Sequence, residues 1–306
     1  MYDYINIMQI LITTLAIILN AIAIVLTYQA KIGSSFKTYK QILIVQFSLG
    51  IVSVVVTAIT RVRVISLNNY FIVSADLFDF DKEDVMTERV ILFFTLIFIY
   101  INVPAITLVV ICRYIQVCHS KRMSYLQIST GIICTIIASI TLATGLTACY
   151  DKISDPFILA QIYLEIKNKG IITGTKKVLL GISINPKMNL ITLFIAIVFY
   201  AANYIVIITC YKKYCTFVNK RIHIMTSKTK ELNLVFMKII KYQCFTPWLF
   251  TGIPELIFNI LFFFDVDIHL FGALLYYLIL CVAILNPTLF IILSPTNRTL
   301  IYKWIT

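Results

Sequence analysis

The stretch Val90-Ile-Leu-Phe-Phe-Thr-Leu-Ile-Phe-Ile-Tyr-Ile-Asn-Val-Pro-Ala-Ile-Thr-Leu-Val-Val-Ile-Cys112 holds no acid and no base. As an α-helix it would be about 34 Å long at 1.5 Å per residue, enough to cross a hydrocarbon core of about 30 Å. It is apolar all round instead of alternating, and more than twice the ~10 residues that a membrane strand needs. Charge marks both ends, with Glu88 and Arg89 before it and Arg113 directly after it.

Outward from this run, six others of similar kind fill most of the chain. The expected spans are Ile7–Tyr28, Ile42–Thr60, Val90–Cys112, Leu126–Ala148, Leu190–Tyr211, Ile239–Phe264 and Leu270–Leu293. Of the 306 residues 60% are apolar and 13% charged. A water-soluble domain has about a quarter charged residues. The fold class expected is therefore an all-α, integral membrane bundle of seven transmembrane helices. Residues 1–306 read as one such domain, with no soluble domain attached. The first span has no basic segment before it and no small-residue cleavage site after it, so it reads as retained and not as a signal peptide.

Charge sets the orientation. The first, third and fifth loops, the base of span six and the tail hold 16 of the 26 Lys and Arg residues and one acid, Glu231. The opposite side holds 10 bases and 12 acids, including Asp76, Asp79, Asp81, Glu83, Asp84 and Glu88. Lys and Arg concentrate on the cytoplasmic side, so the N-terminus is expected outside and the C-terminus inside. The net charge of +12 belongs to these span ends, and no nucleic-acid partner is expected. Residues 61–89 read as a long acidic outer loop. Within the outer segment 149–189, residues 171–181 fit either a hairpin or an irregular loop.

Among the eight cysteines only Cys149 falls clearly at the outer surface, without an outer partner. No zinc spacing, no GxSxG, HExxH or Walker pattern and no nucleophile–base pair at membrane depth is present. The reading is no enzyme, no catalytic residue, no metal and no cofactor.

Polar side chains inside spans must find partners, so they usually face the bundle interior. They are Asn20, Gln46, Asn102, Asn203, Gln243, Glu255, Asn259 and Asn286. Hydrogen bonding between helices accounts for most of them. Glu255 stands apart as the only acid within a span, in its outer third by residue count. Trp248, Thr251, Glu255 and Asn259 recur at helical spacing and could share a face. The prolines Pro104, Pro247, Pro254 and Pro287 lie within spans, where each removes a backbone hydrogen bond and favours a kink.

This pattern resembles a G-protein-coupled receptor. Asn20 lies where such receptors carry an asparagine in span one. Arg113-Tyr114 stands at the end of span three like the Asp-Arg-Tyr of the rhodopsin-like class, with Cys112 in place of the acid. Asn286-Pro287-Thr288-Leu289-Phe290 is similar to the Asn-Pro-x-x-Tyr motif. Gly50 falls near the place of the usual second-span aspartate, so the resemblance implies loss of the sodium site. No cysteine opens span three, so the usual disulfide to the second outer loop has no partner. A closer resemblance is to the nematode chemoreceptors of the Str/Srd/Srh group. Phe36-Lys37-Thr38-Tyr39-Lys40-Gln41-Ile42-Leu43 fits their entry to span two, Gln243, Pro247 and Pro254 fit span six, and Pro287, Pro295 and Arg298 fit span seven and its exit. The missing cysteine argues against a typical Srd member.

The resemblance implies a chemosensory receptor in the plasma membrane, multi-pass, of a sensory-neuron cilium. A small-molecule ligand would bind in the outer half between spans three, five, six and seven, at Glu255, Asn259, Thr251, Trp248, Asn102 and Tyr276. A heterotrimeric G protein would couple through a switch made of Arg113, Tyr114, Gln243, Pro247, Asn286 and Pro287. The lipid bilayer is the remaining partner, and the oligomeric state is left open. For Arg113 alone, a snorkelling anchor is the simpler account. The competing function is a transporter or ligand-gated channel. Such a protein would show repeats or charged residues lining a midplane path, and neither is seen.

Overall fold

In the computed structural model the described residues are 2–29, 37–60, 62–67, 70–75, 85–119, 123–153, 155–157, 159–161, 164, 180–183, 186–264 and 269–305. The helices are α1 (Tyr2–Gln29), α2 (Lys37–Thr60), α3 (Val85–Tyr100), α4 (Asn102–Cys118), α5 (Tyr125–Ala148), α6 (Pro186–Arg221), α7 (Ser227–Pro247), α8 (Ile253–Phe263), α9 (His269–Leu293) and α10 (Pro295–Ile305). Helices α3 and α4 form one span, Val85–Cys118, broken only at Ile101. A π-helical turn, Trp248–Gly252, joins α7 to α8 to make span six.

Five of these helical runs are individually long and apolar enough to cross a membrane. Span six is divided by its π turn, and α9 supplies the seventh crossing. The spans close into a ring: α1 packs on α2 and α9, α2 on α3 and α4, α4 on α5 and α6, and α9 on α7. The fold is thus the seven-helix bundle that the apolar runs predict.

Three features differ from the sequence reading. First, α6 and α7 extend well past the apolar runs, and only residues 222–226 form the turn between them. The basic fifth loop is largely helix, because Lys and Arg are good helix formers once they reach water. Second, the segment read as an acidic outer loop contains an antiparallel hairpin, β1 (Val62–Leu67) with β2 (Tyr70–Ala75). With β3 (Asp151–Lys152) and β4 (Leu180–Ser183) it makes a four-stranded sheet of order β1-β2-β4-β3. The sheet lies at the bundle end where α2 finishes and α3 begins. Of the suggested hairpin at 171–181, Leu180 and Gly181 pair with β2 and β3; 171–179 lie outside the described residues. Third, the chain turns through 88° after α9, into α10.

Local chemistry accounts for several of these ends. Ser124 and Gln127 form a reciprocal capping box that starts α5. The break at Ile101 precedes Pro104, which cannot donate to the Tyr100 carbonyl four residues back. Pro287 likewise frees the carbonyl of Ala283, and the Asn20 side chain donates to it at 2.9 Å. The asparagine also donates to the Ala16 carbonyl at 2.8 Å. Gly50 makes room for this group, since a Cβ there would stand 2.8 Å from Asn20 Oδ1.

Asn297 begins the chain's Asn297-Arg298-Thr299 sequon, yet its side chain is buried and donates to the Phe290 carbonyl at 3.1 Å. It satisfies one of the orphan carbonyls at the end of α9. Deglycosylation of the expressed chain should therefore leave its gel mobility unchanged. A glycan-dependent shift would mean that this asparagine leaves its capping site and faces the lumen during synthesis.

Candidate functional site

Glu255 opens the first turn of α8, directly beyond the π turn. Its carboxyl group is buried and joins three spans. The Tyr100 hydroxyl donates to one oxygen at 2.8 Å and the Tyr200 hydroxyl to the other at 2.9 Å. Tyr100 is close to the middle of Val85–Cys118. The rings add to the contact: Tyr100 and Tyr200 meet edge to face at 6.4 Å, and Phe199 meets both. Two donors to this acid are thus tyrosines of neighbouring spans.

The stripe expected from Trp248 through Asn259 is only partly a face. Thr251 and Glu255 are buried, but Trp248 is 44% exposed. A π turn has more residues per turn than an α-helix, so the regular 3.6-residue stripe is shifted across it. The side chains of Asn259 and Tyr276 lie outside the described residues. Asn102 turns to α2 instead, donating to Ser53 Oγ at 3.1 Å, while Ser53 donates to the Phe98 carbonyl at 2.6 Å. It ties spans two and three together. Asn203 does the same for spans three and five, accepting from Thr107 at 2.8 Å.

A cleft of about 600 Å³ runs between α6 and the α7–α8 pair. Of the expected ligand residues Trp248 and Glu255 line it, and among the described residues none of span three or seven does. Gln46, read as interhelical glue, is buried, forms no hydrogen bond, and lines a cavity of about 50 Å³ between α2, α4 and α5.

At the other end of the bundle Arg113 is fully buried, which excludes a snorkelling anchor. Its guanidinium lies 3.8 Å from the centroid of Phe236 and 5.2 Å from that of Tyr39. Nη2 donates to Asn233 Oδ1 at 3.4 Å, and the Tyr214 hydroxyl donates to the same oxygen at 3.2 Å. Residues of α2, α4, α6 and α7 therefore converge on one cation. Tyr114 points elsewhere and meets His119, 3.3 Å from its Nε2. Gln243 is buried below Pro247 and donates to the Asn286 carbonyl at 3.4 Å, joining spans six and seven next to Pro287.

Sequence reasoning missed Tyr100, Tyr200, Tyr39, Asn233 and Phe236. Among 18 tyrosines and 21 phenylalanines, no single one stands out by type. A signal was available for Tyr100 and Tyr200, since a hydroxyl inside an apolar span needs a partner and Glu255 was the strongest acceptor there.

Seven helices in a closed ring, a buried acid held across spans three, five and six, and a buried arginine at the end of span three define a seven-transmembrane receptor architecture. Among solved structures, squid rhodopsin superposes with a TM-score of 0.67 at 16% identity, over 99% of this chain and 86% of that one. A comparison with curated proteins gives no match. The family described as serpentine type 7TM GPCR chemoreceptor Str matches residues 5–301, and the chain belongs to that family. It is a G-protein-coupled chemosensory receptor, embedded in a membrane, and the transporter or channel alternative is not favoured.

Proposed function

We propose that this receptor lies in the plasma membrane, in a sensory cilium, with its N-terminus outside. In this reading an extracellular small molecule is sensed through Glu255, and Arg113 responds at the cytoplasmic end. The observation that carries it is the pair of tyrosine hydroxyls on Glu255, from spans three and five. A ligand that takes over one of those hydrogen bonds changes the contact between three helices at once. Differential contacts of this kind are what let a ligand shift a conformational equilibrium. The π turn and its flanking Pro247 and Pro254 lie between Glu255 and the cytoplasmic half of span six, where a change of bend would be transmitted. Outward movement of α7 from α4 would then open a surface for a heterotrimeric G protein, with Arg113 released into it.

The role of Gln243 differs from that of Glu255 in this scheme. Its bond to the Asn286 carbonyl holds spans six and seven together below the kink. Glu255→Gln is therefore expected to shift the ligand concentration for half-maximal response, with maximal signalling largely kept. Gln243→Leu should change basal or maximal signalling with less effect on ligand affinity. Both are read as cyclic-nucleotide and calcium responses to a ligand panel at matched surface expression. The reading fails if Gln243→Leu abolishes ligand affinity while Glu255→Gln leaves it untouched. Antibody access to a tag at residue 1 in unpermeabilised cells tests the orientation separately.

A further inference from the structure

The cleft between α6 and the α7–α8 pair is a long apolar channel with polar groups towards its two ends. Its α6 wall follows one helical stripe from Leu193 to Tyr211, about 27 Å at 1.5 Å per residue. Its other wall runs from Lys241 to Leu256, about 22 Å by the same rise. A volume of about 600 Å³ spread over that length is enough for a hydrocarbon chain. Both walls belong to adjacent helices whose flanking residues, Phe194, Ile205 and Leu249, are exposed. The mouth therefore opens sideways, towards lipid.

Two groups at the Lys241 end give the channel a polarity. Lys241 is an exposed cation at the rim. One helical turn further in, Cys244 packs with Tyr204 and Tyr211 against the same apolar cluster. The Tyr204 hydroxyl there is buried and has no hydrogen-bond partner. A buried hydroxyl left unpaired is costly, so an acceptor at this place would be stabilising. Beyond Cys244 the channel continues for about 18 Å of helix to Leu256 with Phe245, Trp248 and Gly252 along it. Its one carboxyl group, Glu255, is at the far end and already holds two tyrosine hydroxyls.

We propose that this cleft binds a free long-chain carboxylate from the bilayer, with its head group between Lys241 and the Tyr204 hydroxyl and its chain along the channel towards Trp248. A single cation with a single orphan donor suits a singly charged carboxylate. The head group would sit at the end of the cleft away from Glu255, and its occupancy is a binding question that does not depend on receptor signalling.

The test uses the full chain in nanodiscs of neutral phosphatidylcholine and a photoactivatable, alkyne-tagged palmitate. Cross-linked residues are mapped by mass spectrometry. Labelling should saturate, fall within 193–211 and 241–256, and be competed by palmitate but poorly by hexadecanol. Tyr204→Phe and Lys241→Gln should each weaken competition by about tenfold, the scale of one charge-assisted hydrogen bond, with unchanged or higher melting temperature without palmitate. Ala201→Trp, at an exposed position on the cleft wall, should abolish specific labelling by filling the channel. Unsaturable labelling spread over exposed apolar residues of other helices, such as Ile18 and Ile133, would show bulk partition only and overturn the proposal. Equal competition by hexadecanol, or a lysophospholipid binding tighter than palmitate, would overturn the carboxylate assignment.

Discussion

The double variant Tyr100→Phe/Tyr200→Phe is expected to lose most of its folded surface population, whereas each single variant keeps much of it. Each substitution removes one hydrogen bond to the Glu255 carboxyl and leaves the ring in place. Hydrogen bonds between membrane helices contribute about 0.6 to 2 kcal/mol each, and those to charged groups reach about 1.5 to 3. Losing both would cost about 2–4 kcal/mol, a large part of a typical folding stability of ~5–15 kcal/mol. The effects should not add, because the two tyrosines share one carboxyl group. Adding Glu255→Leu to the double variant should restore part of the loss, since replacing the acid together with these two donors removes the desolvation cost of the carboxyl group along with the bonds. Thermal-shift midpoints in detergent and surface expression of the parent and the four variants would measure this. A double variant as stable as the parent would mean that these bonds do not hold the three spans together.

The sequence carried the helices well because each apolar run answers to a single physical requirement, crossing hydrocarbon with every backbone group paired. It carried the helix ends less well. The apolar run in span five stops near Tyr211, but α6 continues to Arg221, since hydropathy reports the membrane boundary and not the hydrogen-bond ladder. The β1–β2 hairpin did have a signal: Val62, Val64, Ile65, Ile72 and Val73 are β-branched and flank Asn68-Asn69, a turn pair. The acids that follow it drew the segment into one loop.

Site residues were legible in proportion to how unusual they are in lipid. Glu255 and Arg113 stand out by charge, and both proved to be centres of buried clusters. Asn102 was indistinguishable by type from Asn203, and only the fold shows that it turns to Ser53. The periodic stripe through Trp248 failed for a different reason. Periodicity assumes an unbroken α-helix, and the Pro247 and Pro254 pair brackets a π turn that resets the facing. The sequence supplied the prolines but not the way in which the chain accommodates them.

Phe236→Leu is expected to raise ligand-independent signalling more than any other single change at the Arg113 end of the bundle. The residue before Arg113 is Cys112, so the acid that neighbours this arginine in rhodopsin-like receptors is absent from the chain. Phe236 of α7 and Tyr39 of α2 form an aromatic cage over the cation and meet each other edge to face at 5.4 Å. A desolvated cation–π contact contributes about 2 kcal/mol, and a change of that size moves a two-state ratio by about thirtyfold. The contact links α4 to α7, so separation of spans three and six must break it. Leucine retains the apolar volume but not the ring face, and the closed state alone should lose stability. Phe236→Tyr keeps the face and should leave basal signalling near the parent level. Tyr39→Leu should raise it less, because that ring is further from the guanidinium. Basal cyclic-nucleotide and calcium signals at matched surface expression give the comparison. If the leucine and tyrosine variants at 236 signal alike without ligand, the aromatic cage does not hold the closed state. The Asn233 bond to Arg113 would then be the next contact to remove, by Asn233→Ala with Tyr214 left in place.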